Sequence, residues 1–155
     1  MFSIIIPTFN NVEYLKKCIE SIKKNSAYTH EIIPHVNEGT DGTLDYLKNN
    51  NIAYTYTNYN SGICTGMNMA AKRAKTQYIL YAHDDFYFCP NWDNVLIDEI
   101  NKINHNSFYL SGTMVNNGQI QLDCGSDLET FDEERLLKEI NNVNYYDFQG
   151  STWAP

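Results

Sequence analysis

The sequence predicts an α/β domain: a mostly parallel sheet flanked by helices. Two observations carry that expectation. Uncharged apolar runs of strand length, at residues 2–6 and 78–82, alternate with stretches whose apolar residues recur at helical spacing. Such alternation favours parallel strands joined by right-handed helical crossovers. The second observation is that the run at 78–82 stops abruptly in His83, Asp84 and Asp85. Two adjacent carboxylates repel each other, and a cation would offset that repulsion. The carboxyl end of a central strand in an open α/β sheet is where ligands bind.

Each element has a local reason. Residues 2–6 are rich in isoleucine, as in a strand buried on both faces, and Pro7, which has no N–H for the ladder, should stop it. Thr8-Phe9-Asn10 then reads as a loop. Asn10 or Asn11 can cap a helix whose apolar positions are Val12, Leu15, Ile19 and Ile22. Residues 31–36 give a second strand, followed by the polar loop 37–43, in which Thr40 or Asp41 starts a helix through Leu44 and Leu47. A third strand falls at 52–56. Turn residues at 58–62 open a helix over 63–74 bearing Gly66, Ala70, Ala71 and Ala74, small enough for close approach to a sheet or ligand. The run at 78–82 is read as a buried central strand, before a helix over 92–103 and a strand at 108–115.

Beyond residue 115 the pattern loosens. A turn at 116–118, a short strand at 119–122, a Gly/Ser/Asp loop at 124–130 and an amphipathic helix at 131–140 are expected. The ending Gly150-Ser151-Thr152-Trp153-Ala154-Pro155 supplies no helix to close the domain. The expectation is therefore one domain over 1–155, with 1–115 a ligand-binding half and 116–155 the start of a second half that is interrupted.

Composition narrows the function classes. At 155 residues with 43% hydrophobic and 19% charged side chains, the chain is large enough for a core. A net charge of −8 without a Lys/Arg cluster argues against gripping a nucleic-acid backbone. The four cysteines, Cys18, Cys64, Cys89 and Cys124, form no C-x-x-C pair and read as free thiols in a reducing compartment. No run is long enough for a signal peptide or a transmembrane segment, so a cytoplasmic protein, free or peripheral to a membrane, is expected. Oligomeric state leaves no trace in the sequence.

Four motifs, taken together and in this order, resemble family 2 glycosyltransferases of the GT-A fold, a Rossmann-like architecture of nucleotide-diphospho-sugar transferases. They are Ile4-Ile5-Ile6-Pro7-Thr8-Phe9-Asn10; Val36-Asn37-Glu38-Gly39-Thr40-Asp41-Gly42-Thr43; Asn60-Ser61-Gly62 with Gly66, Asn68 and Ala74; and Ile79-Leu80-Tyr81-Ala82-His83-Asp84-Asp85. The departures are specific. The second loop is one residue short and has Asn37 and Glu38 where two aspartates are common. Met67 stands in place of an arginine, and His83 in place of an acidic residue.

The resemblance implies an inverting transferase that takes a sugar from a nucleotide-diphosphate donor, a UDP-sugar by default, to a glycan, lipid or protein acceptor. It implies a divalent cation, Mn²⁺ or Mg²⁺, on Asp85, with Asp84 on the ribose or the cation's water shell and His83 as a further ligand. Pro7, Thr8, Phe9 and Asn10 would lie beside the base and ribose, and Asn37 would read the base edge. Gly62, Gly66 and Asn68 would pass under the diphosphate and sugar. Plainer roles compete: a helix cap for Asn10, His83 and Asp84, helix-to-sheet packing for Gly66, and packing for Trp92, Phe86, Tyr87 and Phe88. The general base that inversion requires matches no motif, and Asp123, Asp127 and Asp132 are unassigned carboxylates. A nucleotide-sugar and metal-binding module without transfer activity is the alternative function.

Overall fold

The computed structural model describes residues 2–115 and 121–142, which form parts of two compact units, Met1–Val95 and Leu96–Pro155. The expected turn at 116–118, part of the short strand at 119–122 and the ending at 150–155 lie outside the described residues. The first unit runs β1 (Phe2–Phe9), α1 (Val12–Asn25), β2 (Glu31–Asn37), α2 (Thr43–Asn49), β3 (Thr55–Thr57), α3 (Ile63–Ala71) and β4 (Tyr78–Tyr81). Helix α4 (Trp92–Lys102) crosses the boundary, and the second unit contains α5 (Glu133–Glu139) and a 3-10 turn at Ile140–Asn142. All four strands are parallel, in the order β3-β2-β1-β4. Both predicted features of the architecture, parallel pairing and helical crossovers, are present.

Pro7 does not end β1. The strand continues to Phe9, with Pro7 opposite His35 of β2. Backbone direction explains the tolerance. The Ile5 carbonyl accepts from Ala82 N on the β4 side, so Pro7, two residues on, also faces that side. The β4 ladder has ended by then, its last pair being Ile5 with Tyr81, and no N–H is needed.

Residues 78–82 were expected to be a buried central strand. Instead β4 pairs only with β1 and forms an edge among the described residues, with alternating burial and with Ile79 51% exposed. An uncharged run signals apolar surroundings but not how many neighbours a strand has. Residues 108–114 form no strand, and Tyr109 is 90% exposed. β-propensity reports packing on a pleated surface, and among the described residues this stretch joins no strand ladder. Helix α3 also ends three residues earlier than expected, and β3 starts three residues later.

Ile5, Ile33 and Ala70 form a buried cluster, flanked by Met67, Ala71 and Ala74, which places the small residues of α3 against the sheet. Alternation along β1 turns Ile4 and Ile6 to the opposite face, where both are fully buried. Each such side chain contributes about 1.5–3 kcal/mol by leaving water. At the other end of the strands Asp93, in the first turn of α4, is fully buried. It accepts from Ala27 N at 3.1 Å, Tyr28 N at 2.9 Å, Asn94 N at 3.0 Å and His30 Nε2 at 3.0 Å. Phe2 N donates to His30 Nδ1, so the ring hydrogen sits on Nε2 and points at Asp93. Burial alone would raise the Asp93 pKa, but these hydrogen bonds outweigh it and hold the carboxyl below its usual value. Phe2, His30, Phe88 and Trp92 stack around this pair, confirming the packing role of Phe88 and Trp92.

Candidate functional site

Strand register brings the predicted donor loops together. Phe9 lies opposite Asn37, and Asn37 opposite Thr57, so β1, β2 and β3 end side by side. The loops that leave β1 and β2 are laced to each other. Asn10 Oδ1 accepts from Thr40 N at 2.9 Å and Thr40 Oγ1 at 3.2 Å. Asn10 takes φ +47° and Glu38 φ +60°, left-handed conformations that are uncommon outside glycine. Neither Asn10 nor Asn11 caps α1 with its side chain. Val12 N donates instead to Asp41 Oδ2 at 2.7 Å, from the next loop, while Asp41 Oδ1 accepts from Thr43 N and Oγ1 at the start of α2. One carboxylate thus serves two helix starts. Burial would raise its pKa, but the Thr43 and Val12 bonds lower it overall.

Asn37 is buried, and its amide is engaged on both sides. Oδ1 accepts from Ser61 N and Ser61 Oγ, each at 2.8 Å, and Nδ2 donates to the Thr8 carbonyl at 3.3 Å. The residue therefore braces the end of β1 against the turn before α3. Gly62 begins α3 at φ +79°, with open space where a side chain would point. Gly66 packs on His35: an added Cβ would lie 2.6 Å from the ring Cδ2. Asn68, two residues on and about 200° around the helix, is exposed on another face. Pro7 and Thr8 are buried, and Phe9 is 47% exposed at the rim.

His35 is the site's unanticipated residue, since the strand pattern registers it only as an interruption. It is fully buried, with Nδ1 2.8 Å from Thr55 Oγ1 and Nε2 near Thr57 Oγ1 and Ser61 Oγ. Burial lowers its pKa, against a raising influence of Asn37. A lowered folded pKa means that the unfolded chain takes up the proton first. Stability is therefore full above about pH 6.5, the unfolded value, and falls as pH drops through it. The wild type should melt at a lower temperature at about pH 5 than at about pH 7.5, and His35→Gln should flatten that dependence. An unchanged slope in the variant would refute the assignment.

The acidic corner follows β4. Asp84 is partly buried and Asp85 exposed. Burial raises the Asp84 pKa most, the Thr8 and Asn11 side chains facing it pull it down, and the Asp85 charge raises it again; the net shift is upward. Thr8 Oγ1 nevertheless makes no hydrogen bond of normal geometry, and it is the buried side-chain polar atom left without a partner among the described residues. His83 turns to Tyr81, whose hydroxyl lies 2.8 Å from Nε2, and its ring stacks near Phe86. Among the described residues no group of three His, Cys, Asp or Glu side chains converges on one point. Two hard carboxylate oxygens under mutual repulsion, beside an unsatisfied hydroxyl, fit a cation whose other ligands come from phosphate and water.

A polar stripe on α1 holds this corner in place. Cys18 Sγ donates to the His83 carbonyl at 3.5 Å, Ser21 Oγ accepts from Phe88 N at 3.0 Å, and Asn25 Nδ2 donates to the Phe88 carbonyl at 2.7 Å and to Tyr87 Oη at 3.1 Å. Burial, then the charges of Asp84 and Asp85, push the Cys18 thiol up, so it stays protonated as a donor. Cys18, Ser21 and Asn25 fall at i, i+3 and i+7, a spacing that could have flagged the stripe.

Residues 3–148 match the model of glycosyl transferase family 2. An uncharacterized glycosyltransferase of Rickettsia prowazekii is 28% identical over 142 residues, covering 88% of this chain and 44% of its own length. The crystal structure of S. aureus TarS 1-349 superposes with a TM-score of 0.64 at 23% identity, over 79% of this chain and 38% of that one. The same protein in complex with UDP gives a TM-score of 0.55 at 26% identity, over 63% and 32% of the two chains. This chain therefore spans less than half the length of these relatives. Among the described residues no helix is long and apolar enough to cross a membrane.

Proposed function

The chain belongs to glycosyl transferase family 2, and from that membership we propose that it binds a nucleotide-diphosphate sugar with a divalent cation and passes the sugar, with inversion, to an acceptor. The observation that carries the proposal is the meeting of Thr8, Asn10, the turn at Ser61 and Gly62, and the Asp84–Asp85 corner at the carboxyl ends of one parallel sheet. The similar TarS structure in complex with UDP supports a uridine donor.

In this reading the loop after β1 flanks the base and ribose, and the start of α3 lies near the diphosphate. Asp85, exposed and adjacent to Asp84, holds the cation, Mn²⁺ or Mg²⁺. Once bound, the cation neutralises charge that develops on the leaving diphosphate. Asp84 orients the ribose or the cation's water shell. Thr8 Oγ1, buried and unpartnered, is placed to hydrogen-bond the nucleotide. His83, paired with Tyr81, shapes the corner from beside it. The acceptor, whether glycan, lipid or protein, supplies the attacking hydroxyl.

A donor-binding module without transfer is favoured by one observation. The three unassigned downstream carboxylates all serve local turns: Asp123 accepts from Gly125 N, Asp127 from Thr130 N and Oγ1, and Asp132 caps α5 through Arg135 N. Calorimetric titration with UDP, GDP and dTDP, with and without Mn²⁺, tests donor binding. Cation-dependent binding of one nucleotide is expected; its absence for all three sinks both readings. Donor hydrolysis or transfer by this polypeptide then separates enzyme from module.

A further inference from the structure

A histidine inside a sheet is costly unless both ring nitrogens find partners. At His35 the sequence supplies them and also clears the space, through Gly66 on the facing helix. The direction of each bond follows from counting hydrogens, since a hydroxyl donates only one. The nearest acceptor for the Thr57 hydroxyl is the Tyr59 carbonyl at 2.8 Å, and for Ser61 it is Asn37 Oδ1 at 2.8 Å. With those hydrogens committed, the lone pairs of both oxygens face His35 Nε2, at 3.3 and 3.4 Å. Nε2 therefore carries the ring hydrogen and donates, and Nδ1 accepts from Thr55 Oγ1.

The result is one directed chain. The Thr55 hydroxyl donates to His35, the His35 Nε2 hydrogen is shared between Thr57 at 3.3 Å and Ser61 at 3.4 Å, Ser61 donates to Asn37, and Asn37 to the carbonyl of Thr8. Every donor points the same way, so each bond polarises the next. The chain spans β3, β2, the turn before α3 and the end of β1, and it fixes the distance between Thr8 and Ser61. On the donor-binding reading, those are the nucleoside side and the diphosphate side of the donor pocket.

We infer that His35 is a positioning residue for the nucleoside end of the donor site, acting through Ser61 and Asn37. With the Asn37 amide consumed as a brace, base selectivity depends on the shape that the chain imposes. This inference rests on the donor-binding reading, and the variants separate the two.

Nucleotide affinity is measured by calorimetry in Mn²⁺ for the wild type, His35→Leu, His35→Gln and Ser61→Ala. His35→Leu should bind the preferred nucleotide about tenfold or more weakly, and its preference among UDP, GDP and dTDP should narrow. His35→Gln, whose terminal amide can still donate toward Ser61, should stay within about threefold of wild type. Ser61→Ala breaks the chain without touching the core, so it should match His35→Leu, and it carries the test if the leucine variant does not fold. Folded His35→Leu or Ser61→Ala with unchanged affinity and preference overturns the inference while leaving donor binding intact. A glutamine variant as weak as the leucine variant also overturns it. A wild type that binds none of the three nucleotides overturns the donor-binding reading together with it.

Discussion

Asp85→Ala should abolish cation-dependent nucleotide binding, lowering affinity in Mn²⁺ by about a hundredfold while leaving any cation-free binding unchanged. The magnitude reflects the loss of an anionic ligand from a site in which, among the described residues, protein groups supply few others. Asp85 is exposed, so the substitution should leave the melting temperature nearly unaltered, and calorimetry on a folded variant reads the site alone. Asp84→Asn offers a sharper control. The Asp84 carboxyl is partly buried and its pKa is raised. Its ionised form therefore costs stability, fully above the folded pKa and not at all below the unfolded one. The asparagine variant should melt higher than wild type at neutral pH without cation, yet respond less to Mn²⁺. An Asp84→Asn protein that melts lower at neutral pH would show that the corner is not a site of repulsion.

Asp93→Ala should have the largest effect on stability, about 3–4 kcal/mol. The fully buried carboxylate receives four hydrogen bonds, from Ala27, Tyr28, Asn94 and His30. Alanine leaves the Ala27 and Tyr28 amides and the His30 ring unpartnered beneath Phe2 and Trp92. Urea unfolding gives the difference directly; a loss below about 1 kcal/mol would mean that water replaces the carboxylate. These groups stand at the opposite ends of the strands from the donor loops. Nucleotide affinity of the folded fraction should therefore be unchanged, which distinguishes this loss from that of Asp85.

The acidic corner and the four motifs were legible because they are local: consecutive residues of unusual chemistry at the end of an apolar run. Parallel pairing was legible from the alternation of periods. Partners distant in the chain were not. Asp41 reads as a starter for α2, and that half is correct, but its bond to Val12 N joins loops that sequence distance separates. The resemblance implies a base contact for Asn37, and the fold engages its amide with Ser61 and Thr8, partners that sequence distance hides. In the sequence Gly66 suits ligand approach and packing alike, and the fold sets it directly on His35.

The sequence by itself determined the strand and helix order through β4, the loops that hold polar chemistry and the pairing of Asp84 with Asp85. Apolar periodicity and turn residues act over a few positions, so those features need no knowledge of distant contacts. Tertiary structure alone decided that β4 lies at an edge among the described residues, that Pro7 sits inside a strand and that Cys18, Ser21 and Asn25 hold the loop from His83 to Phe88. Each of these depends on which backbone or side-chain group the fold brings alongside. A hydrogen-bonding group has the same identity in the sequence whether its partner is water, a neighbouring loop or a strand, and only the folded chain makes that choice.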